Sequence, residues 1–131
     1  MILGIGTDLV DIRRIERLLE RFGPRFLRFV CVESEIQQGK KYGTLKLQAS
    51  FVAKRFAAKE AFVKACGLGF RQDITFLNIC VTNDDKGKPL ITLDKKLEHA
   101  LKEKFGTEEF TVHLSLADEH PLAQAFVVIS T

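Results

Sequence analysis

A long helical segment whose charges are not confined to one side constrains the fold of this chain more than any other feature. Helical spacing runs through residues 47–66. Within this segment Lys59, Glu60 and Lys64 stand among Phe, Ala and Val, although a solvated helix keeps its charged residues on one face. We expect the helix to be largely buried, so that its charged side chains need a partner or a ligand.

Two of these charges fall on a face with small neighbours. At 3.6 residues per turn, Glu60 and Lys64 lie one turn apart and share a narrow face with Ala53 and Ala57. The small side chains predict room for a ligand beside this face, where a carboxylate and an ammonium group could serve a metal ion and a phosphate. The alternative is a Glu–Lys pair that stabilises the helix by about a few tenths of a kcal/mol.

Asp8 is the second candidate, because it follows a short apolar strand at residues 2–5 and the glycines Gly4 and Gly6. These glycines predict that a ligand can approach the backbone closely. One carboxylate from a strand end and one from a helix commonly hold Mg²⁺, which takes its other ligands from water and substrate phosphates. Asp8 and Glu60 therefore form a candidate metal site. Alternatively, Asp8 is a turn aspartate that caps the next helix.

Cations for a phosphate could come from the same helix. Lys64 is the first choice, and Arg55 or Lys59 could add to it. His113 lies in a predicted strand and could be a core histidine or a hydrogen-bond donor to a phosphate. No Ser-His-Asp set, Cys-His set or P-loop can be assembled from the sequence. The nucleophile of an enzyme built on this chain would therefore arrive on a substrate.

The first predicted helix carries an arginine stripe. Arg13, Arg17 and Arg21 recur at i, i+4 and i+8, and Arg14 adjoins them. The stripe predicts either a solvated face or a docking surface for an acidic protein or a nucleic acid. Three phenylalanines follow at a spacing that suits a buried face better than a stacking platform for bases: Phe22, Phe26 and Phe29.

The predicted elements follow the order β-α-α-β-β-α-β-β. This order favours an α+β fold, a single domain over residues 1–131 with a mainly antiparallel sheet packed with helices. The later predicted strands are 74–81, 90–93, 110–116 and 123–129. The three cysteines lack metal-ligand spacing, and no run of 18 apolar residues exists. We expect a cytoplasmic protein with no membrane partner, and the net charge of +3 does not by itself argue for nucleic acid.

These segments together resemble the holo-acyl-carrier-protein synthase family, the small bacterial 4′-phosphopantetheinyl transferases. The match runs in order through nearly the whole chain. Its motifs are GIGTD at 4–8, VDI at 10–12, RFG at 21–23, RFAAKEAF at 55–62 with KA at 64–65, GKP at 87–89 and VHLS at 112–115.

The resemblance implies an enzyme that moves the phosphopantetheine arm of coenzyme A onto a serine of apo acyl carrier protein and releases adenosine 3′,5′-bisphosphate. Asp8 and Glu60 would then hold Mg²⁺, with Lys64 as the third catalytic residue. Arg55 and His113 would join Lys64 in binding coenzyme A. The serine would lose its proton to Glu60 or to a metal-bound water, and the sequence does not choose between them.

The resemblance also implies partners. The basic helix, with Arg13, Arg14, Arg17 and Arg21, would dock the acidic carrier protein, and the chain would form a homotrimer with active sites between subunits. Many family members continue the last motif as Ser-x-Ser-His, whereas residues 117 and 118 are Ala and Asp here.

A non-catalytic alternative uses the arginine helix alone. Such a module would bind an acidic protein or nucleic acid with an affinity that falls with salt and needs neither Mg²⁺ nor coenzyme A. It leaves Glu60 and Lys64 unexplained, and the first arginines have no aromatic neighbour on which bases could stack. We therefore expect the enzyme, with no nucleic-acid partner.

Overall fold

A computed structural model describes residues 1–70 and 74–131 of the chain. Its strands are β1 (Ile2–Asp11), β2 (Ile79–Asn83), β3 (Pro89–Leu93), β4 (Thr111–Glu119) and β5 (Leu122–Ser130). Its helices are α1 (Ile12–Phe22), α2 (Pro24–Val30), α3 (Glu33–Gly39), α4 (Leu45–Cys66) and α5 (Lys95–Phe105), with a short 3₁₀ helix at Phe76–Asn78. In the part of the chain described, no helix has both the length and the apolarity needed to cross a membrane.

All the strand pairs in the described ranges are antiparallel. One sheet has the order β1-β5-β4, and β2 pairs with β3 as a separate hairpin. Helix α4 packs on β1 and β5 and also contacts α1. The expected α+β fold with a mainly antiparallel sheet is therefore confirmed.

Strand β1 is longer than the sequence predicts. It pairs with β5 from Ile2 as far as Asp11, and Asp8 lies within it, opposite Ala125. The prediction that Asp8 stands at a strand end is therefore wrong. The pairing continues because β5 is long enough to provide partners on this side as far as Leu122.

The strand predicted at 74–81 begins only at Ile79. The residues before it form the 3₁₀ helix, whose start is capped by the Thr75 hydroxyl, which accepts a hydrogen bond from the backbone N–H of Leu77. The Thr75 side chain thus offers the backbone a local alternative to the sheet. The strands predicted at 90–93, 110–116 and 123–129 are present, with ends that differ by up to three residues from the prediction.

Helix α4 forms the centre of the molecule. The Thr44 hydroxyl accepts a hydrogen bond from Leu47 at its start, and Gly67 ends it in the left-handed conformation at φ 68°. Most of its side chains are buried, as the distribution of its charges predicts. Ala53 and Ala57 are completely buried, so the expectation that they leave room for a ligand is wrong.

Two glycines of β1 allow α4 to pack directly on the strand backbone. A Cβ atom at Gly4 would overlap the carbonyl oxygen of Ala65, and one at Gly6 would overlap that of Ala61. These positions therefore exclude every side chain. The expectation that the glycines admit a ligand is wrong, because the helix backbone occupies the space beside them.

Lys59 is fully buried and bound within the protein. Its Nζ donates hydrogen bonds to the carbonyl oxygens of Val30 at 2.6 Å and Phe76 at 3.1 Å, and to Glu35 Oε1 at 2.6 Å. All three donors of the ammonium group are thus satisfied. The suggestion that Lys59 neutralises a phosphate is wrong, because the side chain has no access to solvent.

The carboxylate of Glu35 completes this network. Its Oε1 also accepts a hydrogen bond from the backbone N–H of Val32 at 2.9 Å, and its Oε2 accepts one from Val81 in β2 at 3.0 Å. The Glu35–Lys59 pair therefore joins α3, α4 and the β2–β3 hairpin. Removing one partner of such a buried pair typically costs about 3–5 kcal/mol of stability.

We predict that Gly6→Ala destabilises the fold. The new Cβ would overlap the Ala61 carbonyl oxygen and lie 2.7 Å from the backbone nitrogen of Ala65, and helix backbone cannot move aside as a side chain can. Overpacking of this kind costs about 1–3 kcal/mol or more in the free energy of unfolding, which urea denaturation measures. Gly43→Ala is the control, because no atom lies within 4 Å of its added Cβ. Equal stability of the two variants would contradict the close packing.

Candidate active site

The close packing of α4 on β1 brings Lys64 against Asp8. Lys64 Nζ lies 3.1 Å from Asp8 Oδ1 and donates a second hydrogen bond to the carbonyl oxygen of Thr7 at 3.0 Å. The Asp8 side chain is 14% exposed and that of Lys64 is 55% exposed. A largely buried carboxylate and an accessible cation thus meet at the protein surface. Among the described residues, Lys64 thus forms its ion pair with Asp8 and not with Glu60, its i,i+4 neighbour in the helix.

Glu60 stands beside this pair. Burial raises the pKa of Glu60, and the negative charge of Asp8 raises it further, whereas Lys64 and Arg14 oppose the shift. Asp8, Lys64 and Arg14 are therefore all close enough to act electrostatically on the half-buried Glu60. Two carboxylates that repel each other favour the binding of a cation between them.

Asp8 and Glu60, which we call the acid pair, suit a magnesium site with few protein ligands. Among residues 1–70 and 74–131, no group of three or more His, Cys, Asp and Glu side chains comes together as a metal site. Mg²⁺ commonly binds through one or two carboxylates and takes its remaining ligands from water and substrate phosphates. Asp8 and Glu60 are the residues that could hold it in this way.

Arg55 is not part of this group. Its guanidinium lies 4.1 Å from the centre of the Phe51 ring and donates from Nη2 to Gln38 and to Asn83, each at 3.1 Å. Burial lowers the pKa of Arg55, and the negative charge of Glu35 opposes the shift. Its Nε is buried and has no hydrogen-bond partner in the described part of the chain.

Arg55 lines a cavity of about 420 Å³ between α4, the β2–β3 hairpin and β4. Lys41 and Lys54 line it as well, and Asp118 is the one carboxylate among its described lining residues. Its other walls are Gln38, Tyr42, Phe51, Asn83, Gly87, Pro89 and Leu116. An excess of cations around an open cavity suits an anionic ligand.

The basic cavity and the acid pair face different sides of α4. Because each residue turns the helix by about 100°, Arg55 lies about 140° round the axis from Glu60. The sequence-predicted catalytic residues Asp8, Glu60 and Lys64 are thus brought together, whereas the predicted ligand-binding residue Arg55 belongs to a second location. Within one chain, Arg55 and the group of Asp8, Glu60 and Lys64 therefore do not surround the same small ligand.

His113 also lies apart from the acid pair. It is an exposed residue of β4, and its Nε2 is 2.9 Å from the hydroxyl oxygen of Ser130. His113 aligns with Val128 of β5, which aligns in turn with Ile5 of β1, three residues before Asp8. His113 is therefore a residue of the open sheet face and not a core histidine.

The arginine stripe is exposed along α1, but its members differ. Arg13 is bound to Asp11, from Nε at 3.0 Å and from Nη2 at 2.7 Å. The hydrogen bonds from Arg13 lower the pKa of Asp11 to about 2, so this arginine is already paired at neutral pH. Arg14 lies 5.8 Å from the centre of the Phe56 ring.

The remaining two arginines, Arg17 and Arg21, are exposed, and the guanidinium of Arg21 lies 5.2 Å from the centre of the Phe22 ring. Phe22 and Phe29 are exposed as well, so the expected burial of these rings is wrong. The reason is that helix α1 ends at Phe22 and a separate helix starts at Pro24, so the helical spacing does not continue through Gly23.

The two buried cysteines do not supply a nucleophile. Burial raises the pKa of both Cys31 and Cys66 to about 12, which keeps these thiols protonated and unreactive. This supports the expectation that the reacting nucleophile arrives on a substrate.

Sequence reasoning missed most of the basic cavity. The sequence marks Lys41 only as part of a basic, glycine-containing loop at 39–44, and the spacing of α4 does not distinguish Lys54 from its neighbours. One signal was available: the GKP motif at 87–89 contributes two cavity residues, Gly87 and Pro89. Loops commonly carry binding residues, although Gly87 also serves the turn itself, where it adopts φ 86°.

Comparisons with known proteins identify the family of the chain. A family model described as the 4′-phosphopantetheinyl transferase superfamily matches residues 4–125. A holo-acyl-carrier-protein synthase of Wolbachia sp. subsp. Brugia malayi is 46% identical over 129 residues, which cover 98% of this chain and 96% of that protein. The crystal structure of a holo-acyl-carrier-protein synthase from Neisseria meningitidis is similar, with a TM-score of 0.88 and 40% identity. The match covers 100% of this chain and 100% of that chain.

A holo-acyl-carrier-protein synthase from Bacillus anthracis str. Ames, in complex with CoA (3′,5′-ADP), is also similar. Its TM-score is 0.81 at 37% identity, with 100% of this chain and 98% of that chain covered. The expectation of an enzyme, rather than a non-catalytic basic module, is confirmed. The chain belongs to the 4′-phosphopantetheinyl transferase superfamily, among the holo-acyl-carrier-protein synthases.

Proposed function

We propose that this chain, as one domain over residues 1–131, transfers the 4′-phosphopantetheine group of coenzyme A to a serine of apo acyl carrier protein, with Mg²⁺ held by Asp8 and Glu60. The meeting of Asp8, Glu60 and Lys64 beside the arginine helix carries the proposal. Two carboxylates and a lysine suit a metal-assisted reaction of a phosphate group. The names of the relatives, which are holo-acyl-carrier-protein synthases, support the substrates.

In this reaction the serine oxygen bonds to the phosphorus that carries the pantetheine arm. The bond from that phosphorus to the bridging oxygen of the pyrophosphate breaks, and adenosine 3′,5′-bisphosphate leaves. We assign Lys64 to the phosphate oxygens, where its charge offsets the negative charge that develops as the bridging oxygen departs. We assign the serine proton to the Glu60 carboxylate, because the other carboxylate of the site, Asp8, is already paired with the Lys64 ammonium group. Bound Mg²⁺ would supply further positive charge to the pyrophosphate.

We predict that Asp8→Asn and Glu60→Gln each lower the rate of transfer about a hundredfold or more, because each removes a charge from the site while keeping its shape. Mass spectrometry of apo acyl carrier protein after incubation with the enzyme, coenzyme A and Mg²⁺ measures the added arm. Glu103→Gln, an exposed carboxylate of α5, is the matched control and should transfer at the normal rate. Normal rates in both site variants would refute the metal assignment, and no mass gain with the unaltered chain would refute the proposed function.

We propose that the basic cavity holds the nucleotide end of coenzyme A. That end carries a 3′-phosphate, which the cations Lys41, Lys54 and Arg55 would neutralise. The hydrogen bonds from Arg55 to Gln38 and Asn83 fix its guanidinium before any ligand arrives, so little entropy is lost on binding. The relative bound to CoA (3′,5′-ADP) supports a ligand of this type.

We further propose that a second copy of the chain completes each site, in a homotrimer. The outer face of the β1-β5-β4 sheet exposes apolar side chains, among them Leu9 at 63% and Phe126 at 44%. Exposed apolar area of this kind marks an interface. His113 lies on the same face, since Phe126 aligns with Ser115 two residues along β4. A nucleotide in the cavity of one copy would then reach the acid pair, and approach His113, of the next.

Mixing two inactive variants tests the shared site. If Asp8 and Arg55 act on one coenzyme A from different copies, co-expressed chains carrying Asp8→Ala or Arg55→Ala should recover roughly a quarter of normal activity by random assortment. The same mixture with Phe126→Glu in every chain should recover none, because the added charges separate the copies. Absence of recovery in trimers of the two single variants would place both groups in one chain.

The arginine helix is proposed as the docking surface for the carrier protein. Reversing Arg14 and Arg17 to Glu should raise the KM for apo acyl carrier protein by about an order of magnitude, because the attraction for an acidic partner becomes repulsion. The KM for coenzyme A should change little. Lys95 and Lys96, exposed on α5, give a control reversal of equal charge. An unchanged KM for the carrier protein would remove the docking assignment.

A further inference from the structure

We propose that Asp118 lowers the affinity of the basic cavity for its anionic ligand by holding Lys54, and so determines how firmly the released nucleotide is retained. The inference rests on the proposed binding of the nucleotide end of coenzyme A in that cavity. Asp118 is one of the two residues that replace the Ser-His found in many family members, and the proposed reaction does not use it.

Asp118 is an exposed residue of the cavity wall. Its Oδ2 accepts a hydrogen bond from the Ser50 hydroxyl at 3.1 Å and lies 3.7 Å from Lys54 Nζ. Ser50 and Lys54 are one turn apart on α4, so a single carboxylate from the end of β4 contacts both. The Lys54 and Asp118 side chains are 29% and 42% exposed, and both line the cavity.

The charges give the direction of the effect. The other charged lining residues described for the cavity, Lys41, Lys54 and Arg55, are cations, so Asp118 opposes the field that attracts a phosphate. A phosphate that enters must also compete with Asp118 for Lys54. Both effects weaken binding, and an exposed pair of this kind changes an equilibrium by up to about fivefold.

Weaker binding has a use in this reaction. Coenzyme A and adenosine 3′,5′-bisphosphate carry the same nucleotide end, so a cavity that binds this end too tightly would retain the product. Strong binding common to substrate and product does not speed the chemical step. Asp118 would therefore favour release of the nucleotide after transfer, whereas the acid pair and Lys64 act on the pyrophosphate alone.

Calorimetric titration with adenosine 3′,5′-bisphosphate tests this inference. We expect Asp118→Asn to lower the Kd about two- to fivefold, because the repulsion and the competition for Lys54 are both removed. Lys54→Met, which keeps the aliphatic stem, should raise the Kd. The gain from Asp118→Asn should be smaller when it is combined with Lys54→Met, because only the repulsion by Asp118 is then left to remove. Glu119→Gln changes the net charge equally at the next residue, outside the cavity lining, and should leave the Kd unchanged.

The outcomes separate the two proposals. A Kd that is unchanged or raised by Asp118→Asn overturns the inference, as does an equal gain with and without Lys54. If Lys54→Met and Arg55→Met leave the Kd unchanged, the cavity is not the nucleotide site, and the proposed binding mode fails together with the inference. Activity with carrier protein, measured in parallel, shows whether the reaction itself survives that result.

Discussion

The rest of the structure depends on the direct contact between the backbone of α4 and the backbone of β1. Gly4 and Gly6 lack side chains, and Ala61 and Ala65 present the carbonyl oxygens that any side chain would strike. This contact sets the distance between a strand that carries Asp8 and a helix that carries Glu60 and Lys64. The small residues around the acid pair thus serve the packing, and the accessible side of the site is that of the Lys64 ammonium group.

The same helix separates two chemical environments. On one side is Glu60, whose pKa is raised first by burial and further by the negative charge of Asp8, and on another is a cavity lined mainly by cations. A helix is a suitable divider, since residues a few positions apart in sequence point in different directions. Coenzyme A is an extended ligand with an anionic nucleotide at one end and a reactive pyrophosphate beyond it. It matches the basic cavity and the acid pair if a neighbouring copy brings these two sites together.

Hydrophobic periodicity and helical spacing, which are local properties, predicted the fold class and placed Glu60 one turn from Lys64. The grouping of Asp8 with them, from a distant part of the chain, rested mainly on the resemblance to the family. The sequence did not predict which charged residue of α4 is buried. Lys59 and Glu60 are adjacent charged residues with the same apolar neighbours in sequence. Only the positions of Val30, Glu35 and Phe76 in the folded chain decide that Lys59 is the enclosed one. The basic cavity was missed for the same reason: its residues come from segments far apart in the chain, which only the tertiary structure assembles.

The buried pair of Glu35 and Lys59 has a consequence for alignment. Lys59 is held by three acceptors from outside α4, so the helix cannot rotate about its own axis without breaking them. Glu60 follows Lys59 by about 100° of helical turn. The direction in which Glu60 faces is thus set by an anchor on another side of the helix, out of reach of any substrate. Because the anchor is fully buried, solvent and salt do not reach the contacts that set the angle of the Glu60 carboxylate.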